Sequence, residues 1–212
     1  FQIYFKEEQL PLLDPACEPL NNIGNPRSDL MEYSAWQIHY NSDATKDLDL
    51  WGYVSWKFKQ KMGISGETAL EFINANPGYD VYLFNPSIIN EAVFANSWEQ
   101  GDVWHPNISQ IGNMFLEKLG YKDQDVLSMI LDRNRTVYAN YVVGSRKFWD
   151  GFMQFSDKLF TEADKDAEFK RLVFAPGLAK YNHKPELPMF TFLIERLIPT
   201  YIDCLLYTSP SP

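Results

Sequence analysis

Tyr79-Asp80-Val81-Tyr82-Leu83-Phe84-Asn85-Pro86 is the stretch whose reading decides the fold. Residues 79–84 are aromatic and apolar with a β-branched centre, and turn signals bound them on both sides: Pro77-Gly78 before, Asn85-Pro86 after. A short β-prone run between two such breaks is a buried strand. Residues 66–76 read as a helix, with Ser65 as N-cap and Pro77-Gly78 as stop. Ser87 caps a second helix running to about residue 98. Helix, strand, helix is the repeating unit of an α/β fold.

The alternation continues outward in both directions. Residues 1–5 form a first strand and 50–55 another, which runs into a helical turn over 56–62 closed by Gly63. Residues 136–143 form a further strand, and Ser145 caps a helix through residue 160 whose stripe includes Phe148, Phe152, Phe155 and Leu159. Residues 107–119 place Ile108, Ile111, Phe115 and Leu119 at helical spacing. Residues 30–40, 126–131 and 168–173 read as short helices. A last helix spans 187–201, with Phe190, Leu193, Ile194, Leu197 and Tyr201 inward and Pro199 as a possible kink. Residues 6–25, with Pro11, Pro15, Pro19 and Gly24, form a loop holding at most a short helix; residues 41–49 and 99–106 are loops. The expectation is a single α/β domain over residues 1–203: Rossmann-like, a mostly parallel sheet flanked by helices.

The tail Cys204-Leu205-Leu206-Tyr207-Thr208-Ser209-Pro210-Ser211-Pro212 equals, residue for residue, one frame of a common transposon library adapter. Residues 204–212 are therefore expected to be a non-native scar, and the chain a piece truncated at both ends. Cys17 then stands alone and cannot form an internal disulfide, which points to a reducing cytoplasm. A hydrophobic share of 45% provides for a real core, and the net charge of -9 argues against a nucleic-acid coat. Apolar runs break well short of the ~18 residues of a membrane span.

Glycine-rich phosphate loops, a GxSxG elbow and a Cys/His zinc set are missing from the sequence. Asp47-Leu48-Asp49 is literally DxD, a spacing that can hold a divalent metal or simply mark a solvated acidic loop. Ligands of α/β sheets bind at the carboxyl ends of the strands. That makes Asn85 a candidate contact, against the alternative that it only starts a turn. Asn140 is a second candidate, central in its strand. The densest polar-aromatic cluster is Trp98-Glu99-Gln100-Gly101-Asp102-Val103-Trp104-His105-Pro106. Its Trp faces suit sugar rings, Glu99 suits a general base, and His105 a partner or phosphate contact. The competing reading is a connecting loop anchored by half-buried Trp. The sequons Asn107-Ile108-Ser109 and Asn134-Arg135-Thr136 carry little meaning without a secretory signal.

Several stretches resemble, in order, a family of bacterial glycosyltransferase-like domains from surface-polysaccharide loci. They are Phe1-Gln2-Ile3-Tyr4-Phe5, Glu8-Gln9, Leu13-Asp14-Pro15, Trp51-Gly52-Tyr53-Val54-Ser55-Trp56-Lys57-Phe58, residues 79–86, residues 98–106, residues 140–149 and Glu195-Arg196-Leu197. The resemblance implies a GT-A-like domain that binds a nucleotide-sugar donor at the strand ends and a glycan acceptor. The donor base would rest near Tyr4 and Phe5, Asn85 and Asn140 would line the sugar site, and Glu99 and His105 would be catalytic. A GT-A metal, Mn or Mg, would be expected to bridge the diphosphate, yet no DxD follows a hydrophobic strand here. That departure keeps open a non-catalytic module binding glycan or protein.

Overall fold

The computed structural model describes residues 1–131, 135–179 and 187–203. The expected scar at 204–212 and the Asn134 of the second sequon lie outside them. The chain divides into two compact units: Phe1–Pro86 with Ala139–Gly151, and Ser87–Tyr138 with Phe152–Pro212.

The first unit holds a mixed five-stranded sheet. Its strands are β1 (Gln2–Tyr4), β2 (Pro19–Asn21), β3 (Leu50–Ser55), β4 (Val81–Leu83) and β5 (Val142–Ser145), in the order β2-β1-β3-β5-β4. β1 pairs in parallel with β2 and β3, whereas β5 is antiparallel to both β3 and β4. Four strands therefore share one direction and β5 alone runs against them. Strand direction is not encoded in a hydrophobic run, so the reversal was invisible in the pattern. The edge strand β2 was also unforeseen, because its Pro19 belongs to a proline-rich stretch that reads as loop.

The period of two distributes the core. Trp51 and Tyr53 face α1 (Glu32–Tyr40) and the start of α7 (Arg146–Ser156): Trp36 stacks on Tyr53 at 5.7 Å and Trp149 on Trp51 at 6.2 Å. Val54, Tyr82 and Tyr141 take the other face, packed with Phe58 of α2 (Phe58–Met62) and with Ala69 and Ile73 of α3 (Gly66–Ala75). Gly52 permits the β3–β5 approach, since a Cβ there would run into the Val142 carbonyl and the Val143 side chain. The expected caps are present: Gly63 closes α2 at φ 71°, and the Ser65 hydroxyl accepts from Thr68 N at 3.1 Å.

The second unit is helical: α4 (Ile88–Val93), α5 (Ser97–Trp104), α6 (Ile108–Lys118), the end of α7, α8 (Lys158–Lys165), α9 (Ala167–Phe174) and α10 (Phe190–Tyr201). The Phe152 and Phe155 rings meet Tyr201 at 5.8 and 5.5 Å, and Phe155 meets Phe115 at 5.4 Å, so the two aromatic stripes read from sequence do form a core.

Several local expectations need correction. The helix begun after Ser87 stops at Val93, and residues 97–104 are helical rather than loop. The cause is Asn96, whose side-chain oxygen accepts from Trp98 N and Glu99 N, both at 2.9 Å, and starts a new helix. Residues 126–131 are not a helix. Asn113 and Asp125 take the amides of Val126 and Leu127, while Asn96 Nδ2 donates to the carbonyls of Val126, Leu127 and Met129. Side chains thus replace the helical ladder. The strand expected at 136–143 is displaced to Val142–Ser145, the residues that face β3 and β4; Thr136 instead donates to the Leu131 carbonyl at 3.1 Å. The helix capped by Ser145 ends at Ser156, and α8 is separate.

Candidate functional site

Because β5 is reversed, one rim of the sheet collects the ends of β1, β3 and β4 and the beginning of β5. Phe5 follows β1, Ser55 ends β3, Asn85 lies two residues past β4, and Asn140 lies two residues ahead of β5. Phe84 N donates to the Tyr141 carbonyl at 3.0 Å, carrying the ladder past Leu83 toward the rim. The Ser55 and Tyr141 hydroxyls are 2.8 Å apart. Two residues beyond the pairs Tyr53–Val142 and Leu83–Val142, the register sets Ser55 and Asn85 level with Asn140.

Asn140 is 8% exposed, and its amide oxygen is buried with no hydrogen-bond partner among the described residues. A buried acceptor left in this condition costs about 1–3 kcal/mol. Asn85 is half-buried at the mouth of the turn. Phe5 is half-buried and its amide donates to Gln9 Oε1 at 2.7 Å. Tyr4 is 8% exposed and belongs to the core, so of the expected pair Phe5 is the more accessible residue.

Two cations that the sequence reading passed over stand at this rim. Lys57 Nζ lies 4.9 Å from the Trp56 ring and Lys61 Nζ 5.8 Å from the Tyr141 ring. The signal was present: a Lys pair at i, i+4 immediately after a strand end is placed on one face of the following helix.

The metal expectation fits poorly. Asp47 and Asp49 are exposed and enter β3 at the end opposite the rim. Among the described residues no group of three or more His, Cys, Asp or Glu could hold a metal ion. The residues present do not fit a bridging divalent ion, and no step below is routed through one.

Glu99 and His105 belong to the second unit, and no hydrogen bond joins them among the described residues. Glu99 is exposed, and its Oε2 accepts from Ala95 N at 2.7 Å, reinforcing the Asn96 cap. Its position near the start of α5 therefore has a structural cause. Trp98 is fully buried with Nε1 donating to Thr200 Oγ1 at 2.9 Å, whereas Trp104 is 60% exposed. Only the second indole has a face to offer a sugar.

His105 caps the C-terminal end of α5 and is 5% exposed. Its ring stacks on Phe192 with centroids 3.7 Å apart. Burial first, and the Arg196 charge second, push its pKa down to about 4. It is neutral near pH 7, so it can donate one N–H but cannot act there as a cationic phosphate contact.

Arg196 is the residue the sequence reading quoted without assigning a role. Its guanidinium donates to the Ser97 carbonyl at 2.9 Å, the Phe192 carbonyl at 2.7 Å and Gln100 Oε1 at 2.8 Å. It lies flat on Gly101, where any Cβ would collide with Nε. Among the described residues, no helix is long and apolar enough to cross a membrane. No family model matches the chain, and no curated protein or solved structure matches it.

Proposed function

We propose that the chain is a GT-A-like glycosyltransferase domain that takes a sugar from a nucleotide-sugar donor in bacterial surface-polysaccharide synthesis, with the donor held at the rim of the first unit. The observation that carries this reading is the unpartnered, buried amide oxygen of Asn140 at the carboxyl edge of the sheet. Around it, Phe5 offers a half-exposed ring for a base, Asn85 a second amide, and Lys57 and Lys61 the positive charge that a diphosphate attracts. Asn140 would accept a hydroxyl or N–H of the donor and orient it; the ammonium groups would stabilise charge on the departing nucleoside diphosphate. The acceptor glycan would complete the reaction.

The test is turnover. Purified protein is incubated with UDP-, GDP-, dTDP- and CMP-sugars, with and without manganese, and nucleotide release is measured. Release from one class, lost on Asn140→Ala with the fold retained, supports the reading; no release and no nucleotide binding sinks it.

The second reading, a non-catalytic module that binds glycan or protein, is favoured by the poor fit to a metal and by the capping duty of Glu99. Glycan binding without nucleotide binding in titration calorimetry would select it.

A further inference from the structure

We propose that the second unit carries a binding site of its own for a neutral sugar, recognised through its hydroxyls and built around the buried Arg196 by Tyr138, His105 and Ser97. Three buried polar atoms here have no hydrogen-bond partner among the described residues: Tyr138 Oη, His105 Nδ1 and Ser97 Oγ. Each such atom costs about 1–3 kcal/mol if left unmet, and their coincidence in one unit needs a cause.

All three are tied to the same guanidinium. Ser97 gives its carbonyl to Arg196 Nε. Phe192 gives its carbonyl to Nη1 and its ring face to His105. The Tyr138 phenol lies within the field of the Arg196 charge. Arg196 therefore acts as a keel. Its own donors are turned to backbone and Gln100, and it fixes the groups around it.

The chemistry of the ligand follows from charge and from the mix of donors and acceptors. Among the described residues, Arg196 is the cation whose charge reaches both His105 and Tyr138. Glu195 and Asp102 offset it, and Glu91 and Glu99 act on the Tyr138 phenol. Four carboxylates against one guanidinium repel a phosphate or a carboxylate ligand. A phenol, an imidazole and a serine hydroxyl together supply both donors and acceptors, which a sugar hydroxyl matches because it is both. The exposed indole of Trp104, next in the chain to His105, adds an apolar face of the kind sugar rings lie against. The sheet rim of the first unit, with Lys57 and Lys61, and the second unit, with these acids, are thus suited to ligands of opposite character. The inference does not depend on the donor reading.

The experiment is saturation-transfer difference NMR on the whole chain with the methyl glycosides of glucose, galactose, mannose, rhamnose and N-acetylglucosamine. At least one is expected to receive saturation from the wild-type protein. The signal should fall at least fivefold in Tyr138→Phe and in Ser97→Ala, and persist in Asn140→Ala and in excess UDP. Tyr138→Phe and Ser97→Ala each delete only an unpartnered oxygen, so thermal midpoints should be kept, which separates lost binding from lost folding. No transfer from any glycoside overturns the proposal. So does transfer undiminished in both variants, or displacement of the glycoside by inorganic pyrophosphate, which would mark an anion site. Absence of nucleotide release and of nucleotide binding in the wild-type protein, with glycoside binding intact, would refute the donor reading alone.

Discussion

The rings of His105 and Phe192 lie face to face, with centroids 3.7 Å apart, and the same Phe192 gives its carbonyl to Arg196. The imidazole is thereby placed against an aromatic surface and in the field of a buried cation, where a second positive charge is unwelcome.

That contact predicts a pH dependence. An unfolded His titrates near about 6.5, whereas His105 in the fold is held down to about 4. The folded protein therefore prefers the neutral form. The stability it contributes is fully present above the unfolded value and is lost as pH falls from there through the folded one. The contribution is on the order of 3 kcal/mol. His105→Phe keeps the stack and removes the titration. The drop in urea midpoint between pH 7 and 4.5 should be smaller in that variant than in the wild type, and equal drops would contradict the assignment.

Arg196 should tolerate no replacement. Arg196→Met strands the carbonyls of Ser97 and Phe192, and Arg196→Lys cannot span three acceptors with one ammonium. Each should cost about 3 kcal/mol in urea unfolding. Gly101→Ala, which forces the guanidinium off α5, should fall in the same direction. Midpoints within experimental scatter of wild type would disprove the keel role.

Asn140→Leu should separate stability from binding. The variant removes a buried acceptor that the fold leaves unmet, so stability should hold or rise by up to about 1 kcal/mol. The rise in thermal midpoint on adding a nucleotide sugar should disappear. A destabilised variant would mean that the amide has a structural partner after all.

Glu99 is expected to be a cap before it is a base. Glu99→Ala should lower stability by about 1 kcal/mol, because Ala95 N loses its acceptor. Glu99→Gln keeps an acceptor, so it should retain stability and leave nucleotide-sugar turnover within a few-fold of wild type. A fall in turnover of about a hundredfold or more in Glu99→Gln would restore the general-base role.

Local chemistry was legible where a single residue decides it. Ser65 and Gly63 announce their helix ends, β3 covers the residues its pattern suggested, and the Phe152/Phe155 stripe is buried as spaced. Reading failed where a distant partner decides. Nothing adjacent to residues 126–129 says that Asn96 will take three of their carbonyls. Nothing in residues 142–145 says which way the strand will run. At the candidate sites, Asn140 and His105 drew notice by residue type, but Arg196 did not. An arginine on an apolar helix face reads as a surface residue until Gly101 is seen beneath it.

The reversed strand has a consequence for how such a chain can change. Phe84 and Tyr141 are joined by one backbone hydrogen bond of 3.0 Å, so the polypeptide leaves the sheet and re-enters it at neighbouring points. Everything between is an excursion with its two feet fixed side by side. Chain segments anchored in this manner are the ones that proteins exchange whole. Residues 87–138 do not travel alone, because Trp98, Ser97 and Phe115 are bound to Thr200, Arg196 and Phe155: a replacement that recasts what the second unit recognises has to bring the chain after residue 151 with it.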